Sequence, residues 1–299
     1  MVVVLAGGTG GAKLARGMLD VVGDELVVIA NTGDDVEVHG GYVSPDPDLV
    51  TFWLADAIDA RGWGLRDDTF TVMDELRSLG EDVWFNLGDR DLAVCLARAR
   101  RLASGERLTE CADALRRAFG VRARVLPMSD APVRTRVRSG GAWHDFQAFM
   151  IRERGAAVED VTFDGAEAAS PSAEVLEAIA GARAIVIGPS NPVISIGPIL
   201  ALPEMREALV ATPGPVVAVS PLVRGAVLKG PTDAFMAWAG QSLDSDGIAA
   251  VYDGLLDGLV ADARTDALPT LETDVEMADA AGRERLARET LEFALALAR

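Results

Sequence analysis

The sequence predicts an α/β fold in which helices flank a mostly parallel, doubly wound sheet. The chain begins with two short apolar runs, Val2–Leu5 and Glu25–Ala30, and a predicted helix at about Ala12–Val22 lies between them. A strand, a helix and a second strand in this order form a βαβ unit, whose two strands are parallel. The alternation returns late in the chain, with predicted strands at Ala184–Ile187, Val216–Val219 and Gly258–Ala261. Together these two stretches predict a Rossmann-like sheet.

The other elements follow from apolar spacing and turn residues. Residues 49–120 are predicted to be a mainly helical insertion, with helices at Leu49–Ala60, Thr71–Leu79, Asp91–Ala103 and Leu108–Phe119. Short strands or extended segments are predicted at Arg122–Leu126, Arg134–Arg138 and Phe146–Ile151. Later helices are predicted at Pro203–Ala211, Ser245–Leu256 and Arg283–Ala298. No repeat or low-complexity linker divides the chain, so we expect residues 1–299 to form a single domain. The insertion should form a cap over the carboxyl edge of the sheet.

The composition restricts the classes of function. The formal net charge of −18 argues against a nucleic-acid-binding surface, which would be basic. No apolar run reaches the roughly 18 residues of a membrane-spanning helix, and the first residues resemble a strand rather than a leader. We therefore expect a soluble, cytoplasmic protein without nucleic-acid or membrane partners. Cys95 and Cys111 lack metal-ligand spacing and are expected to be buried thiols.

The first strand runs directly into a glycine-rich turn, GGTGGAK at Gly7–Lys13. A helix that begins in such a turn presents unpaired backbone N–H groups and the positive end of its dipole, which together attract phosphate. The motif has neither the Gly-Lys-Ser/Thr of a Walker A loop nor the third glycine of a dinucleotide fingerprint. A tight turn without a ligand is the alternative. The candidate phosphate-binding residues of this turn are Gly8, Thr9, Gly10, Gly11 and Lys13.

Polar turns also follow other predicted strands. Loops at the carboxyl ends of parallel strands form the ligand crevice of an open α/β sheet, so we expect Asn31 to lie beside the glycine turn. The turn Pro189-Ser190-Asn191 follows the apolar strand Ala184–Ile187 and is stiffened by two prolines. It is a further candidate for donor binding, and a simple connecting turn is the alternative. Ser129 and Asp130 follow another predicted strand and are also candidates for donor binding.

Two carboxylates, Asp46 and Asp48, lie in the proline-stiffened segment Ser44-Pro45-Asp46-Pro47-Asp48. Paired carboxylates suit Mg²⁺, which accompanies much phosphate chemistry. Asp46 and Asp48 are therefore the candidate catalytic and metal-binding residues. In the alternative interpretation, Asp48 only caps a helix that begins near Leu49. No Ser-His-Asp or Cys-His arrangement is visible, so positioning and metal electrostatics fit better than nucleophilic catalysis by the protein.

Several motifs in order resemble the 2-phospho-L-lactate transferase family of coenzyme F420 biosynthesis. They are GGTGGAK at Gly7–Lys13, NTGDD at Asn31–Asp35, SPDPD at Ser44–Asp48, RGWGLRDDTF at Arg61–Phe70, LGDRD at Leu87–Asp91, LPMSD at Leu126–Asp130, GPSNPVISIGPIL at Gly188–Leu200 and SPLVRG at Ser220–Gly225. The similarity extends from the first predicted strand to the last helix.

The resemblance implies a Mg²⁺-dependent transfer. A guanosine diphosphate ester of phospholactate or phosphoenolpyruvate donates its phospho-acid group to the ribityl hydroxyl of 7,8-didemethyl-8-hydroxy-5-deazariboflavin, and GMP leaves. The resemblance places Asp48, Asn86, Asp89 and Arg90 on the deazaflavin side of the site. We also expect a homodimer.

Two other classes of protein agree less well with the sequence. A nucleotide-sugar-binding regulator of a related, non-enzymatic family shares the glycine-rich first turn. Those proteins carry a serine-glycine run after the aspartates that follow the second strand, whereas here Val36-Glu37-Val38 follows Asp34-Asp35. A dinucleotide oxidoreductase is disfavoured because its glycine fingerprint is incomplete.

Overall fold

The structure, a computed structural model, describes residues 1–153, 156–228 and 230–297. Its strands are β1 (Val2–Ala6), β2 (Leu26–Ala30), β3 (Val36–Val38), β4 (Gly41–Val43), β5 (Arg124–Pro127), β6 (Arg134–Ser139), β7 (Ala142–Asp145), β8 (Asp160–Asp164), β9 (Ala184–Ile187), β10 (Val216–Val219), β11 (Leu222–Val223), β12 (Ala226–Val227), β13 (Gly258–Ala261) and β14 (Thr270–Glu272). Its helices are α1 (Gly8–Val22), α2 (Pro45–Leu54), α3 (Thr71–Ser78), α4 (Asp89–Ala103), α5 (Leu108–Ala118), α6 (Phe146–Arg152), α7 (Ala173–Ala180), α8 (Gly197–Leu200), α9 (Pro203–Ala211), α10 (Thr232–Trp238), α11 (Ser245–Val251) and α12 (Ala280–Leu297).

Seven strands form one parallel sheet in the order β14-β13-β10-β9-β1-β2-β5. The chain starts at β1, adds β2 and β5 on one side, and then returns to add β9, β10, β13 and β14 on the other. The predicted doubly wound, Rossmann-like α/β fold is thereby confirmed. The strand order reverses between β1 and β9, and ligands of such sheets bind in the crevice at this reversal.

Helices cover both faces of the sheet, which explains why its central strands are continuous apolar runs. All five residues of β1 and all four of β9 are buried. On one face, Leu14 and Met18 of α1 pack with Trp53 of α2 and Leu286 of α12. The opposite face packs against residues of α7, α9 and α11. A strand buried on both sides needs no polar alternation.

The insertion is helical as predicted, since residues 49–120 contain most of α2 and all of α3, α4 and α5. It has a small core of its own, in which Met73, Leu87, Leu92 and Cys95 pack against Val43. The insertion also reaches the carboxyl edge of the sheet, because Arg98 of α4 pairs with Asp48 in the first turn of α2. Both predicted thiols, Cys95 and Cys111, are buried.

One predicted element is of the wrong type, and the helices predicted to reach Ala60 and Leu256 end at Leu54 and Val251. Residues Phe146–Ile151 were expected to be extended, but they form α6. Phe146 and Phe149 are three residues apart, which places them on one face of a helix, and both pack against Phe235 of α10. The last predicted helix begins three residues earlier, at Ala280, and its final residue, Ala298, lies outside the described residues. Within the described part of the chain, no helix is both long and apolar enough to span a membrane.

Candidate functional site

A cleft of about 420 Å³ opens where the strand order reverses. Its floor is the glycine turn that leads from β1 into α1 and the turn that follows β9. Paired register from Val2↔Ala184 to Leu5↔Ile187 brings these two turns side by side. The walls come from segments distant in sequence, namely α6, the turns around β11 and β12, and residues Val275–Ala278.

The glycines of the first turn have different tasks. Gly8 has a φ of +64° and lines the cleft, as do Thr9 and Gly10. A Cβ on Gly10 would lie 1.9 Å from the carbonyl oxygen of Pro189, and one on Gly11 would lie 2.7 Å from Ser190 Oγ. Gly10 and Gly11 are therefore required for contact between the two turns, whatever ligand binds. The first N–H groups of α1 have no partners within the helix, and that of Gly8 donates to the side chain of Asp46.

Lys13 lines the same cleft, one turn into α1. Its Nζ donates to the carbonyl oxygen of Met277 at 3.3 Å and lies 5.9 Å from the centre of the Trp53 ring. These contacts hold a cation beside the helix N-terminus. Lys13 therefore places a positive charge in the wall of the cleft, where it complements an anion.

Asp46 and Asp34 are joined by one amide. Asn31 Nδ2 donates to Asp46 Oδ2 at 2.9 Å and to Asp34 Oδ1 at 3.2 Å. Asp46 Oδ1 also accepts the N–H of Gly8 at 2.6 Å, so this carboxylate is fixed at the first residue of α1. Burial raises the pKa of Asp46 to about 6, against the stabilising bonds from Gly8 and Asn31. Burial, with the neighbouring charge of Asp46, raises the pKa of Asp34 well above its usual range.

This pair fits a divalent cation. Two buried carboxylates that repel each other have raised pKa values, and a bound cation lowers those values by offsetting the repulsion. Asp34 lines the cleft beside the glycine turn, and the donor set of carboxylate oxygens suits Mg²⁺. The carboxylates that suit such a cation are Asp46, the candidate from the sequence, and Asp34, which lies in the NTGDD motif.

Asp48 has a different environment. Its Oδ1 accepts a short hydrogen bond from Arg98, and both side chains are about 95% buried. Arg98 also donates to the carbonyl oxygen of Tyr42 at 2.8 Å. Burial raises the pKa of Asp48, while Arg98 opposes that change. The helix α2 begins at Pro45 with Ser44 as its N-cap, so the alternative in which Asp48 caps a helix beginning near Leu49 is wrong.

A carboxylate and a thiol lie beside this ion pair. One ligand atom each of Asp48, Asp91 and Cys95 fall within 4.8 Å of one another. Burial, together with the charges of Asp48 and Asp68, raises the pKa of Asp91 to about 7. Arg98 already supplies positive charge here, so this cluster has less need of a metal than the Asp34–Asp46 pair.

The turn after β9 is held by several hydrogen bonds, in agreement with the stiffness predicted from its two prolines. Pro189, Ser190 and Asn191 all line the cleft. Ser190 Oγ donates to the carbonyl oxygen of Gly7 in a short hydrogen bond. Asn191 Oδ1 accepts the N–H groups of Val193 at 2.9 Å and Ile194 at 3.2 Å, which caps the following helical turn. The side chains of this turn mainly fix its backbone against the glycine turn.

Ser129 and Asp130 lie away from the cleft. Ser129 Oγ donates to the carbonyl oxygen of Ser170 at 2.8 Å. Asp130 Oδ1 accepts the N–H of Thr109 at 2.7 Å, so it caps the first turn of α5. Asp130 is not next to a helix in the sequence, because α5 ends before β5, the strand that precedes Asp130. The local sequence therefore did not predict this cap. Among the described residues that line the cleft, neither of these two is present.

Asn86, Asp89 and Arg90 also lie outside the cleft lining within the described residues. Asp89 accepts the N–H groups of Thr71 at 3.1 Å and Val72 at 2.9 Å, in the first turn of α3. Asp68 in turn accepts the N–H of Arg90 at 2.8 Å, in the first turn of α4. Asn86 Oδ1 accepts from Arg77 at 2.6 Å. In this conformation the LGDRD motif therefore holds two helices together.

Other lining residues had no local signal in the sequence. Phe146 and Met150 of α6 were hidden by the wrong prediction of an extended segment. Residues Val275–Ala278 reach the cleft only because the chain returns from β14 to α12 across the carboxyl edge. Asp34 did have a signal, because it follows β2 at the edge where the loops converge.

Comparison with known proteins agrees with this architecture. Residues 2–291 match the family model described as 2-phospho-L-lactate transferase CofD. The chain is 40% identical to a phosphoenolpyruvate transferase of Kitasatospora aureofaciens, over 96% of this chain and 97% of that protein. It is also 40% identical to a 2-phospho-L-lactate transferase of Methanosarcina mazei, over 88% of this chain and 87% of that protein.

A solved structure of a UPF0052 family protein from Bacillus halodurans has the same fold. The two superpose with a TM-score of 0.62 over 97% of this chain and 98% of that one, at 17% sequence identity. At that identity the likeness concerns the fold alone. The family match extends over nearly the whole chain and includes every loop of the cleft, so the chain belongs to the 2-phospho-L-lactate transferase CofD family.

Proposed function

We propose that this protein transfers a phospholactate or phosphoenolpyruvate group from its guanosine diphosphate ester to the ribityl hydroxyl of 7,8-didemethyl-8-hydroxy-5-deazariboflavin. GMP is the second product, and the step belongs to the biosynthesis of coenzyme F420. Family membership and the relatives named as 2-phospho-L-lactate and phosphoenolpyruvate transferases support this assignment. The single observation that carries it is the Asp34–Asn31–Asp46 arrangement at the first residue of α1.

The donor diphosphate occupies the cleft at the N-terminus of α1 in this proposal. Thr9 and Gly10 present the backbone there, and Lys13 adds a cation within the first turns of the helix. The rest of the chain is strongly acidic, so the local donors must offset the charge of the diphosphate. The apolar wall formed by Phe146, Met150 and Ile194 excludes water from the reacting atoms.

Mg²⁺ is the proposed cofactor, held by Asp46 and Asp34. When bound, it would neutralise charge on the diphosphate and on the departing GMP. Asn31 orients both carboxylates through one amide nitrogen, and the Gly8 N–H fixes Asp46. Asp48 lies two residues after Asp46 in the first turn of α2. Its ion pair with Arg98 holds that turn in place.

The proposed reaction is a direct displacement. A bond forms between the acceptor hydroxyl oxygen and the distal phosphorus, with loss of the hydroxyl proton, and the bond from that phosphorus to the oxygen of GMP breaks. The buried thiols are poor nucleophiles, because burial raises the pKa of both Cys95 and Cys111. Within the described residues neither thiol lines the cleft, and neither does a histidine.

The experiment that tests this function supplies the purified protein with deazariboflavin, Mg²⁺ and each guanylyl donor in turn. Mass spectrometry should detect the phosphodiester product together with an equal amount of GMP. The donor that gives the higher kcat/KM identifies the three-carbon acid. Absence of product with both donors, while GDP and deazariboflavin bind, would contradict the proposal. The same preparation would test by light scattering whether the protein is the expected homodimer.

A further inference from the structure

Besides Asp34, one other carboxylate lines the cleft within the described residues, that of Glu276. It belongs to the wall formed by Val275–Ala278. A carboxylate repels a diphosphate, and Lys13 is the one cation among the described lining residues that offsets it. Glu276 therefore weakens binding of the donor's phosphates unless it accepts hydrogen bonds from another part of the same ligand.

Arg224 holds this carboxylate at the rim of the cleft. The strands β11 and β12 are joined by Arg224 and Gly225, whose φ angles are +53° and +71°. Two left-handed residues form the type I′ turn of a hairpin, in which the first position favours Asn, Asp or Gly. An arginine at that position strains the backbone, so its side chain needs a task of its own. Arg224 Nη2 donates to Glu276 Oε2 at 3.0 Å, which joins the hairpin to the Val275–Ala278 wall.

The Glu276 carboxylate is accessible to a ligand. Its side chain is 35% exposed, and among the described residues only Arg224 donates to it. That bond uses one lone pair of Oε2, so Oε1 and the rest of Oε2 can accept further donors. The Arg224 side chain is 79% exposed and is absent from the described lining of the cleft. Arg224 therefore approaches Glu276 from outside and leaves the cleft side of the carboxylate open.

The surfaces beside Glu276 are apolar. Val275 and Met277 flank it in the sequence, and the hairpin on which Arg224 lies adds Pro221, Val223 and Val227 to the lining of the same cleft. Apolar walls with one oriented polar group suit a flat heteroaromatic base, which contacts the walls with its faces and the polar group with its edge. The base is also the part of a nucleotide farthest from its diphosphate. A diphosphate at the N-terminus of α1 therefore leaves the base to reach the rim.

We infer that Glu276 selects guanine in the donor, with its carboxylate accepting the N1–H and the exocyclic N2 amino group of the base. The inference rests on the proposed function for the guanosine diphosphate donor. A carboxylate carries only acceptors, so it matches two adjacent N–H donors. Adenine has an unprotonated N1 and no amino group at C2, so its edge would set a lone pair against the carboxylate. Arg224 is the positioning residue for Glu276.

The test compares GDP, inosine diphosphate and ADP by calorimetric titration in the presence of Mg²⁺. Inosine diphosphate differs from GDP only in lacking the N2 amino group. The wild type should bind GDP about tenfold or more tightly than inosine diphosphate, the equivalent of one hydrogen bond to a charged acceptor, and ADP least tightly. In Glu276→Gln the preference for GDP over inosine diphosphate should fall to within about threefold, because the amide sets its own N–H groups against a donor of the base.

Two controls separate reading of the base from a general effect of charge. Removing a negative charge from the cleft favours any diphosphate, so Glu276→Gln should bind ADP at least as tightly as the wild type does. Glu272→Gln is the matched control, because Glu272 on β14 pairs with Arg264 at 3.3 Å and is absent from the described lining of the cleft. This control should keep the wild-type order of the three nucleotides.

The role of Arg224 is tested through the same preference. Arg224→Ala should reduce the preference for GDP over inosine diphosphate, and Arg224→Lys should restore part of it, because an ammonium group can also pair with Glu276. A merely structural role would lower the affinity for all three nucleotides together and leave their ratio unchanged.

Several outcomes would overturn the inference. They are equal binding of GDP and inosine diphosphate by the wild type, an unchanged preference in Glu276→Gln, or a loss in that variant of discrimination between GDP and 2′-deoxy-GDP instead, which would assign Glu276 to the ribose. Transfer from the guanylyl donor alongside any of these results would leave the proposed function standing. A preference for GDP that depends on Glu276, without transfer to deazariboflavin, would support the inference while contradicting the proposed reaction.

Discussion

The ion pair with Arg98 sets the electrostatic environment of Asp48. The guanidinium and the carboxylate are buried together, and each would be left as an isolated charge without the other. The pair spaced Asp46-Pro47-Asp48 therefore consists of two carboxylates in different environments, one at the N-terminus of α1 and one against an arginine of α4. The sequence shows the spacing, but a partner 50 residues away can be found only in the structure.

The first prediction concerns this ion pair. Arg98→Met should destabilise the protein by about 3–5 kcal/mol, because it leaves the Asp48 carboxylate buried without a counter-charge. Adding Asp48→Asn should recover much of that loss, since the isolated charge is then removed as well. Urea denaturation of the two variants measures both effects. A double variant as unstable as Arg98→Met alone would show that the lost charge balance is not the cause.

The second prediction concerns pH. Burial, with Asp48 and Asp68 nearby, raises the pKa of Asp91 to about 7, whereas an unfolded aspartate titrates near 3.9. The folded protein therefore binds a proton that the unfolded chain has released, and this stability is lost as pH rises from about 4 through 7. Asp91→Asn should flatten the decline and melt above the wild type at pH 8. Melting curves at pH 5 and pH 8 measure it. An equal decline in both proteins would contradict the assigned pKa.

At the scale of elements, two helices of the insertion cap each other. Asp89 at the start of α4 accepts N–H groups of α3, while Asp68, just before α3, accepts N–H groups of α4. Gly88 is part of this arrangement, since a Cβ there would lie 2.1 Å from an Asp68 oxygen. These reciprocal hydrogen bonds give the motifs RGWGLRDDTF and LGDRD a structural role that requires no ligand.

The third prediction tests that explanation. Asp89→Ala should cost about 0.5–2 kcal/mol of stability through the lost cap. The KM for the deazaflavin should stay within twofold of the wild type, because Asp89 lies outside the lining of the described cleft. Denaturation and steady-state kinetics measure the two quantities. A large rise in KM without a loss of stability would instead support the deazaflavin-binding role that the family resemblance implies.

Local patterns predicted the elements whose burial is uniform along the chain. The strands β1, β2, β9, β10 and β13 are apolar runs buried on both faces, and each was found within one or two residues. Elements that are buried on one side only were harder to predict from the sequence. The prediction for Phe146–Ile151 was wrong because its apolar spacing also suits an extended segment, whereas in the structure it packs as a helix against Phe235.

The order of the strands in the sheet determines where the cleft lies. Reversal of strand order between β1 and β9 joins turns separated by about 180 residues, and the sequence predicted both. The walls of the cleft could not be predicted, because α6 and Val275–Ala278 arrive by tertiary packing. The same holds for Asp130, whose helix partner is set by the docking of α5 on β5. The proposal of Asp34 rather than Asp48 as a metal ligand likewise depends on Arg98, which pairs with Asp48.

The fourth prediction follows from the absence of an activated nucleophile among the described cleft residues. Direct transfer requires both substrates to be bound before either product leaves, so initial-rate kinetics should be sequential rather than ping-pong. GMP should not be released from the guanylyl donor when deazariboflavin is omitted. A stoichiometric burst of GMP with a labelled protein adduct would contradict direct transfer.

We propose that Asp34 and Asp46, near the N-terminus of α1, bind the metal that accompanies the donor diphosphate. Calorimetric titration with GDP, with and without Mg²⁺, measures the contribution of the metal to donor binding. Mg²⁺ should raise the affinity of the wild type for GDP by about tenfold or more, equivalent to at least ~1.4 kcal/mol. Asp34→Asn should lose most of this gain, and Asp48→Asn should keep it. A full gain in Asp34→Asn, together with its loss in Asp48→Asn, would contradict the claim.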